Sequence, residues 1–400
     1  MVDLSLFEKL DNAITSAKLA RQCPVPLTLA DKREIRARVD RVLRIRQEWV
    51  PEISMRTLRT RECAKFTIET VRFRSWEGIY GDASLYLPRD LSKPVPVILF
   101  CHGHAMDAAR FDRPYQEICQ MLAEHGVAAF INDQFGAGGR AKQGHRDSFE
   151  VFGCGTTVCG MMVLESMGLF RALRRDPRFD PERAGFMGQS GGGQNSVFLC
   201  AELFEEAAVG VPTGFACSYE YTARKERHLC ECDLFPGILR EFEMWHLLAC
   251  MNHRKMLAAS GLEDPMIARD VVVRLGHRVA ACDPEGNCEV WLWEGNHSLS
   301  SPGVYNYLVD FVLRAFGLPE TGGAFGTTAV FPAAPELNPE PFPADCGTMT
   351  DVAERLTGKQ RGGETCLADV FPRPDFLTET EFASLPDELK TLFIQGALFL

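Results

Sequence analysis

The chain has 400 residues, more than one hydrophobic core ordinarily serves, so a catalytic domain of roughly 240 residues with appendages is expected. A formal net charge of -11 argues against nucleic acid as a main partner, and no apolar run approaches the length of a membrane span. The start, Met1-Val2-Asp3-Leu4-Ser5, has no basic stretch leading into an apolar one, and the fifteen cysteines are odd in number and scattered; reduced core thiols and a cytoplasmic location are the expectation.

Residues 1–65 read as an N-terminal helical arm. Within it, Asp31 to Trp49 places Ile35, Val39, Val42, Leu43 and Ile45 at helical spacing with arginines between them. Residues 31–74 carry 13 Lys+Arg against 7 Asp+Glu, so a basic arm lies beside an acidic body. It can dock within the chain or form a contact in a homo-oligomer. From Phe66 the pattern alternates. Strands are expected at Phe66–Phe73, Ser84–Pro88, Val95–Cys101, Val127–Ile131, the run into Ser190, Ala207–Val211, Met256–Ser260 and Glu289–Trp293. Helices are expected at Tyr115–Glu124, Thr157–Leu173, Gln194–Phe204, Pro265–Ala281 and Val304–Phe316. This alternation predicts an α/β fold over 66–316, a mostly parallel doubly wound sheet with helices on both faces and an antiparallel edge at its first two strands. An insert over 216–250 interrupts it. The insert is either a specificity element, with Tyr219, Phe235 and Trp245 as candidate substrate-binding side chains, or a surface excursion. Residues 317–347 hold six prolines and read as a linker or strap, followed by short helices near Asp351–Leu356 and Glu379–Phe393.

The chemistry centres on Gly188-Gln189-Ser190-Gly191-Gly192, a strand–turn–helix sequence of the form G-x-S-x-G. Such a turn lifts a serine clear of the backbone at a helix N-terminus, and glycine is needed where a Cβ would collide. A hydroxyl needs a base, and the base needs a third group to hold its tautomer. His297, in Trp293-Glu294-Gly295-Asn296-His297-Ser298, follows the last strand at the same sheet edge as Ser190. His253 precedes a strand and His277 lies inside a helical pattern. Asp264 follows the Met256–Gly261 run and is the candidate acid, with Glu263 and Asp233 as competitors. The backbone N–H groups of Gly191 and His104 are the candidate oxyanion donors, His104 lying on the loop His102-Gly103-His104 after a buried strand. His102 and His104 are poor evidence for a metal pair. His228, Cys230, Cys232 and Asp233 sit close together, but C-x-C is not the usual zinc spacing, so structural thiols are expected and no metal. Gly191-Gly192-Gly193 lacks the Lys-Ser/Thr of a phosphate loop, and the turn Asp133–Arg140 lacks G-x-G-x-x-G, so no cofactor is expected.

With the H-G-x loop at His102–His104, the D-x-x-G-x-G turn from Asp133 to Gly138, Phe179-Asp180-Pro181-Glu182-Arg183 and the ordered Ser190, Asp264 and His297, the chain resembles the α/β-hydrolase superfamily. The likeness is greatest to its acetyl xylan esterase and dienelactone hydrolase-like branch. It departs from dienelactone hydrolases in carrying serine where they carry cysteine, and in its long extensions at both ends. The resemblance implies an α/β-hydrolase fold and hydrolysis of a small-molecule carboxylic ester through an acyl-enzyme, without a cofactor. A serine peptidase or a C–C bond hydrolase on the same fold is the alternative within enzymes, and an inactive binding or scaffold relative is the alternative outside them.

Overall fold

A computed structural model describes residues 4–19, 25–146, 148–224, 230–299, 302–323, 330–332, 340–361, 374–375, 377–387, 389–390 and 393–394. Nine strands form one sheet: β1 Ser54–Glu62, β2 Phe66–Arg74, β3 Tyr80–Pro88, β4 Val95–Cys101, β5 Ala128–Asn132, β6 Phe179–Gln189, β7 Val209–Thr213, β8 Lys255–Gly261 and β9 Cys288–Trp293. Their spatial order is β1-β2-β3-β5-β4-β6-β7-β8-β9. The pairs β1–β2, β2–β3 and β3–β5 are antiparallel; from β5 to β9 every pair is parallel. Side chains alternate between the faces, as the period of two requires. Val97, Leu99 and Cys101 join one core with the helices Val158–Arg175 and Gly191–Glu202. Ile98 and Phe100 join the other with the helices Arg113–Glu124 and Pro302–Ala315.

The chain leaves β4 for β5 on one side and returns to β6 on the other. The carboxyl ends of β4 and β6 therefore open onto a switch point, where a crevice forms. The loop His102–His104 leaves the first of these ends and Ser190 the second.

Residues 1–65 are not helical throughout. Leu4–Leu19 and Leu29–Leu43 are helices, but Ser54–Glu62 is the edge strand β1. It carries Arg56, Arg59 and Arg61 and is mostly exposed, so it lacks the apolar alternation that marks a strand, while its charge blunts an open edge. The helix Leu29–Leu43 starts at a reciprocal Thr28–Asp31 cap and buries Ile35, Val39, Val42 and Leu43, as its spacing predicted. Its basic face docks within the chain: Arg33 and Arg36 meet Glu205 at 2.6 and 3.0 Å, and Arg41 meets Glu241 at 3.5 Å. The strap crosses the sheet edge at Glu340, which pairs with Arg56 at 2.6 Å, and the helix Met349–Thr357 buries Met349, Val352 and Ala353. Glu379–Ser384 is helical, and several residues beyond it lie outside the described set. Among the described residues every cysteine is unpaired, and no helix is long and apolar enough to cross a membrane.

Where the arm meets the Gly191–Glu202 helix, a titration is built in. Burial pushes the Glu202 carboxyl up to about 8, the nearby Asp40 adds to this, and the Gln47 amide, donating at 2.8 Å, opposes it. The folded protein keeps this proton between pH 4.5 and about 8 while the unfolded chain gives it up, so the associated stability is full below that window and lost as pH rises through it. Glu202→Gln, neutral at every pH, is expected to raise the melting temperature by a few degrees near pH 8 and to change it little near pH 5. Melting curves of both proteins across this range check the expectation.

Candidate active site

Ser190 has φ 57° and ψ -120°, a left-handed conformation that non-glycine residues rarely adopt. The neighbouring glycines make this turn possible. A Cβ on Gly192 would collide with the carbonyl of Cys101, and one on Gly193 with the carbonyl of Thr213. The helix Gly191–Glu202 therefore seats directly on the ends of β4 and β7. The Ser190 N–H donates to the Thr213 carbonyl at 2.9 Å, which pins the turn to β7.

His297 and Asp264 arrive on the loops after β9 and β8. These loops pair beyond the strands: Leu262 N–H donates to the Trp293 carbonyl, and Glu263 N–H to the Gly295 carbonyl, both at 2.9 Å. His297 Nε2 lies 2.9 Å from Ser190 Oγ, and its Nδ1 lies 2.7 Å from Asp264 Oδ2. The other carboxylate oxygen of Asp264 accepts from the Met266 N–H at 2.8 Å. The Asp264 side chain is fully buried, which keeps water from its bond to the ring. Gln189, beside the serine, donates its amide to the His297 carbonyl at 2.8 Å. Of the two competitors, Glu263 is exposed, and Asp233 lies near His104 rather than His297. The expected helix at Pro265 begins instead at Arg269, so Asp264 is a loop residue and not a helix cap.

A cavity of about 560 Å³ opens over Ser190, His297, Gly191 and His104. Polar walls come from Asp112, Arg146, Thr222 and Ser298, and apolar ones from Phe215, Tyr221, Met266 and Ile267. Tyr115 ties its base together: its hydroxyl accepts from the Gly103 N–H at 3.1 Å and donates to the Gln189 side chain at 3.2 Å. Burial pushes this phenol well up, so it stays a neutral donor. Burial also holds His102 down to about 4. The neutral ring of His102 donates through Nδ1 to the Gly103 carbonyl and accepts from the Gln134 N–H at 3.1 Å, so it braces the loop behind the cavity.

Tyr219, Phe235 and Trp245, the candidate substrate-binding residues, are not among the side chains lining this cavity. Tyr219 and Phe235 are fully buried against Phe198, and Trp245 stacks on His246. Their apolar area is used by the core that holds the insert down. Tyr221, two positions further along the short helix Tyr219–Ala223, takes the cavity wall instead. The sequence reading also missed Arg146, which follows β5; the only available signal was its position after a strand's carboxyl end.

Asp233 meets the Cys232 thiol at 3.9 Å but is not one of the donors that converge with the pair Cys230 and Cys232. The partners of that pair are His104 and His145, and the four donor atoms lie within 4.8 Å of one another. His228 lies outside the described residues. Nothing in the spacing of positions 104, 145, 230 and 232 announces this grouping; only the fold assembles it.

The fold has known counterparts among solved structures. The chain is similar to the solved structure of Methylesterase BT1017, at 18% identity and TM-score 0.56, over 90% of this chain and 75% of that one. It is also similar to the glucuronoyl esterase from Solibacter usitatus (14% identity, TM-score 0.55, 74% of this chain and 98% of that one). A third is acetyl xylan esterase 1 from Thermoanaerobacterium sp. JW/SL YS485 (16%, TM-score 0.51, 74% and 96%). The fold is that of the α/β hydrolases. The fold expected from the sequence resemblance is thus met by solved structures. No family model matches the chain. A curated relative, "Putative hydrolase YtaP" of Bacillus subtilis (strain 168), is 25% identical over 154 residues, 35% of this chain and half the length of that protein.

Proposed function

We propose that the protein is a serine hydrolase that cleaves a carboxylic ester of a small molecule through an acyl-enzyme. The observation that carries this reading is the pair of contacts from Ser190 through His297 to Asp264, at 2.9 and 2.7 Å, on a strained turn at the floor of a cavity. His297 Nε2 takes the proton of Ser190 Oγ as the oxygen attacks the ester carbonyl. The backbone N–H groups of Gly191 and His104 receive the oxyanion. His297 then gives its proton to the departing alcohol, and water repeats the sequence on the acyl group to release the acid. Asp264 keeps a proton on His297 Nδ1 and stabilises the imidazolium between steps. Residues 66–316 form the catalytic unit in this proposal, and residues 216–250 supply one cavity wall.

A cavity with both charged and apolar walls suits an ester with a polar part and a small acyl or alkyl part. The names of the similar structures make acetylated xylan, methyl esters and glucuronoyl esters the first panel to assay. The test is covalent labelling with a fluorophosphonate, the adduct mapped by mass spectrometry, together with turnover of a short-chain nitrophenyl ester. An adduct on Ser190 with turnover supports the proposal. Folded protein that neither labels nor turns over the ester is instead a binding relative.

A further inference from the structure

We propose that His104, His145, Cys230 and Cys232 form a structural zinc site behind the oxyanion side of the cavity. Their four donor atoms lie within 4.8 Å of one another, from three separate segments: the loop after β4, the loop after β5 and the insert. His104 Nε2 is 3.2 Å from His145 Nε2 and 3.3 Å from Cys232 Sγ. Zinc bonds of about 2.05 Å to nitrogen and about 2.3 Å to sulfur place tetrahedral neighbours about 3.35 Å apart for two nitrogens and about 3.55 Å for nitrogen and sulfur. The two measured edges fall short of these by about 0.15 and about 0.25 Å, a small contraction around an ion. The two imidazole planes meet at 82°, which lets both Nε2 atoms aim at one centre.

The donor set fits a closed structural site: two sulfurs, two imidazoles and no position left for water. Both thiols and the His145 ring are buried, and His145 Nδ1 has no hydrogen-bond partner among the described residues. The ring of His145 is therefore oriented by what meets its Nε2. Binding releases two thiol protons to solvent as two zinc–sulfur bonds form, and the two thiolates offset the charge of one divalent ion.

The position gives the ion a purpose. The His104 ring lies so close to Gly191 that a Cβ there would sit 2.5 Å from it. The Gln194 amide, one turn into the same helix, donates to the Cys232 carbonyl at 2.6 Å. Zinc thus cross-links the insert to the loops after β4 and β5 and fixes the His104 backbone beside Gly191. Such a site stabilises mainly by closing long loops that the unfolded chain leaves open.

The test needs no enzymatic assay and is independent of the ester reading. The full chain is produced in medium supplemented with zinc, and separately with cobalt, and its metal content is measured. About one equivalent of zinc per chain is expected, and the cobalt form should show the strong visible bands of tetrahedral cobalt together with a thiolate charge-transfer band. Cys230→Ser/Cys232→Ser is expected to lose the metal, while Cys282→Ser, remote from the cluster, keeps it. Wild-type protein with less than about a tenth of an equivalent of either metal overturns the proposal. So does a full equivalent retained by the double variant, because the ion then sits elsewhere. The wild-type cobalt spectrum decides the matter even if the double variant does not fold.

Discussion

Ser190→Ala is expected to lower kcat on a short-chain nitrophenyl ester by about 10⁴- to 10⁶-fold while the protein stays folded. The size follows from the geometry. The serine oxygen is the nucleophile held against an imidazole whose other nitrogen meets Asp264, and without it oxyanion stabilisation and binding persist. Asp264→Asn is expected to cost about 10⁴-fold, because an amide can donate to His297 Nδ1 and turn the ring to the tautomer that cannot accept the serine proton. Glu263→Gln, one residue away, tests the assignment. Glu263 is exposed and does not meet the ring, so its loss is expected to change kcat less than about twofold. Steady-state kinetics on the three variants, with fluorophosphonate labelling of each, check the set. A Glu263→Gln rate as low as that of Asp264→Asn would put the acid in the wrong place.

Much of this site was legible in the sequence because Asp264, His297 and the His102–His104 loop each follow a readable apolar run, and Ser190 sits on a turn framed by glycines. Val95–Cys101 was placed to the residue, and the strands before Asp264 and His297 to within one. Chain order then brought the three residues to one edge, since parallel strands all present their carboxyl ends there. What the sequence hid lacked local periodicity. Strand β1 is bordered by partners on one side alone and faces water, so it needed no apolar alternation. The insert's aromatic residues looked like a substrate surface because composition cannot say which face of a short helix meets the core. Tyr219 goes inward and Tyr221 outward. The helix Leu4–Leu19 buries Leu6, Leu10 and Ile14 at a spacing of four, a legible stripe that the sequence reading passed over. The His104, His145, Cys230 and Cys232 cluster is of another kind. Its members are distant in the chain, and their meeting depends on the switch point between β4 and β6.

Arg140→Met is expected to destabilise the protein by about 3–5 kcal/mol and to lower its melting temperature by on the order of 10 °C. The guanidinium is wholly buried and grips Glu165 with two bonds of 2.6 and 2.9 Å. Its remaining donors meet the Gln143 side chain at 2.7 Å and the Asp133 carbonyl at 3.1 Å, and its face lies over the Phe135 ring. Glu165, on the Val158–Arg175 helix, accepts one further bond, from Ser75 Oγ at 2.7 Å. Methionine fills the volume of the arginine stem but leaves the Glu165 carboxylate in an apolar interior with a single hydroxyl for company. The cost is therefore that of an uncompensated charge rather than of the pair itself. This distinction gives the test its sharper half. Arg140→Met/Glu165→Leu removes both charges and is expected to recover most of the lost stability, so that the double variant unfolds well above the single one in denaturant. Equal midpoints for the two variants would mean that the loss comes from the loop carrying Arg140 and not from the stranded carboxylate. That loop leads directly to His145 and Arg146, so the single variant is also expected to loosen one wall of the cavity. The double variant, which loses the same contacts to Gln143 and Asp133, separates this loosening from the charge effect through its KM for the ester.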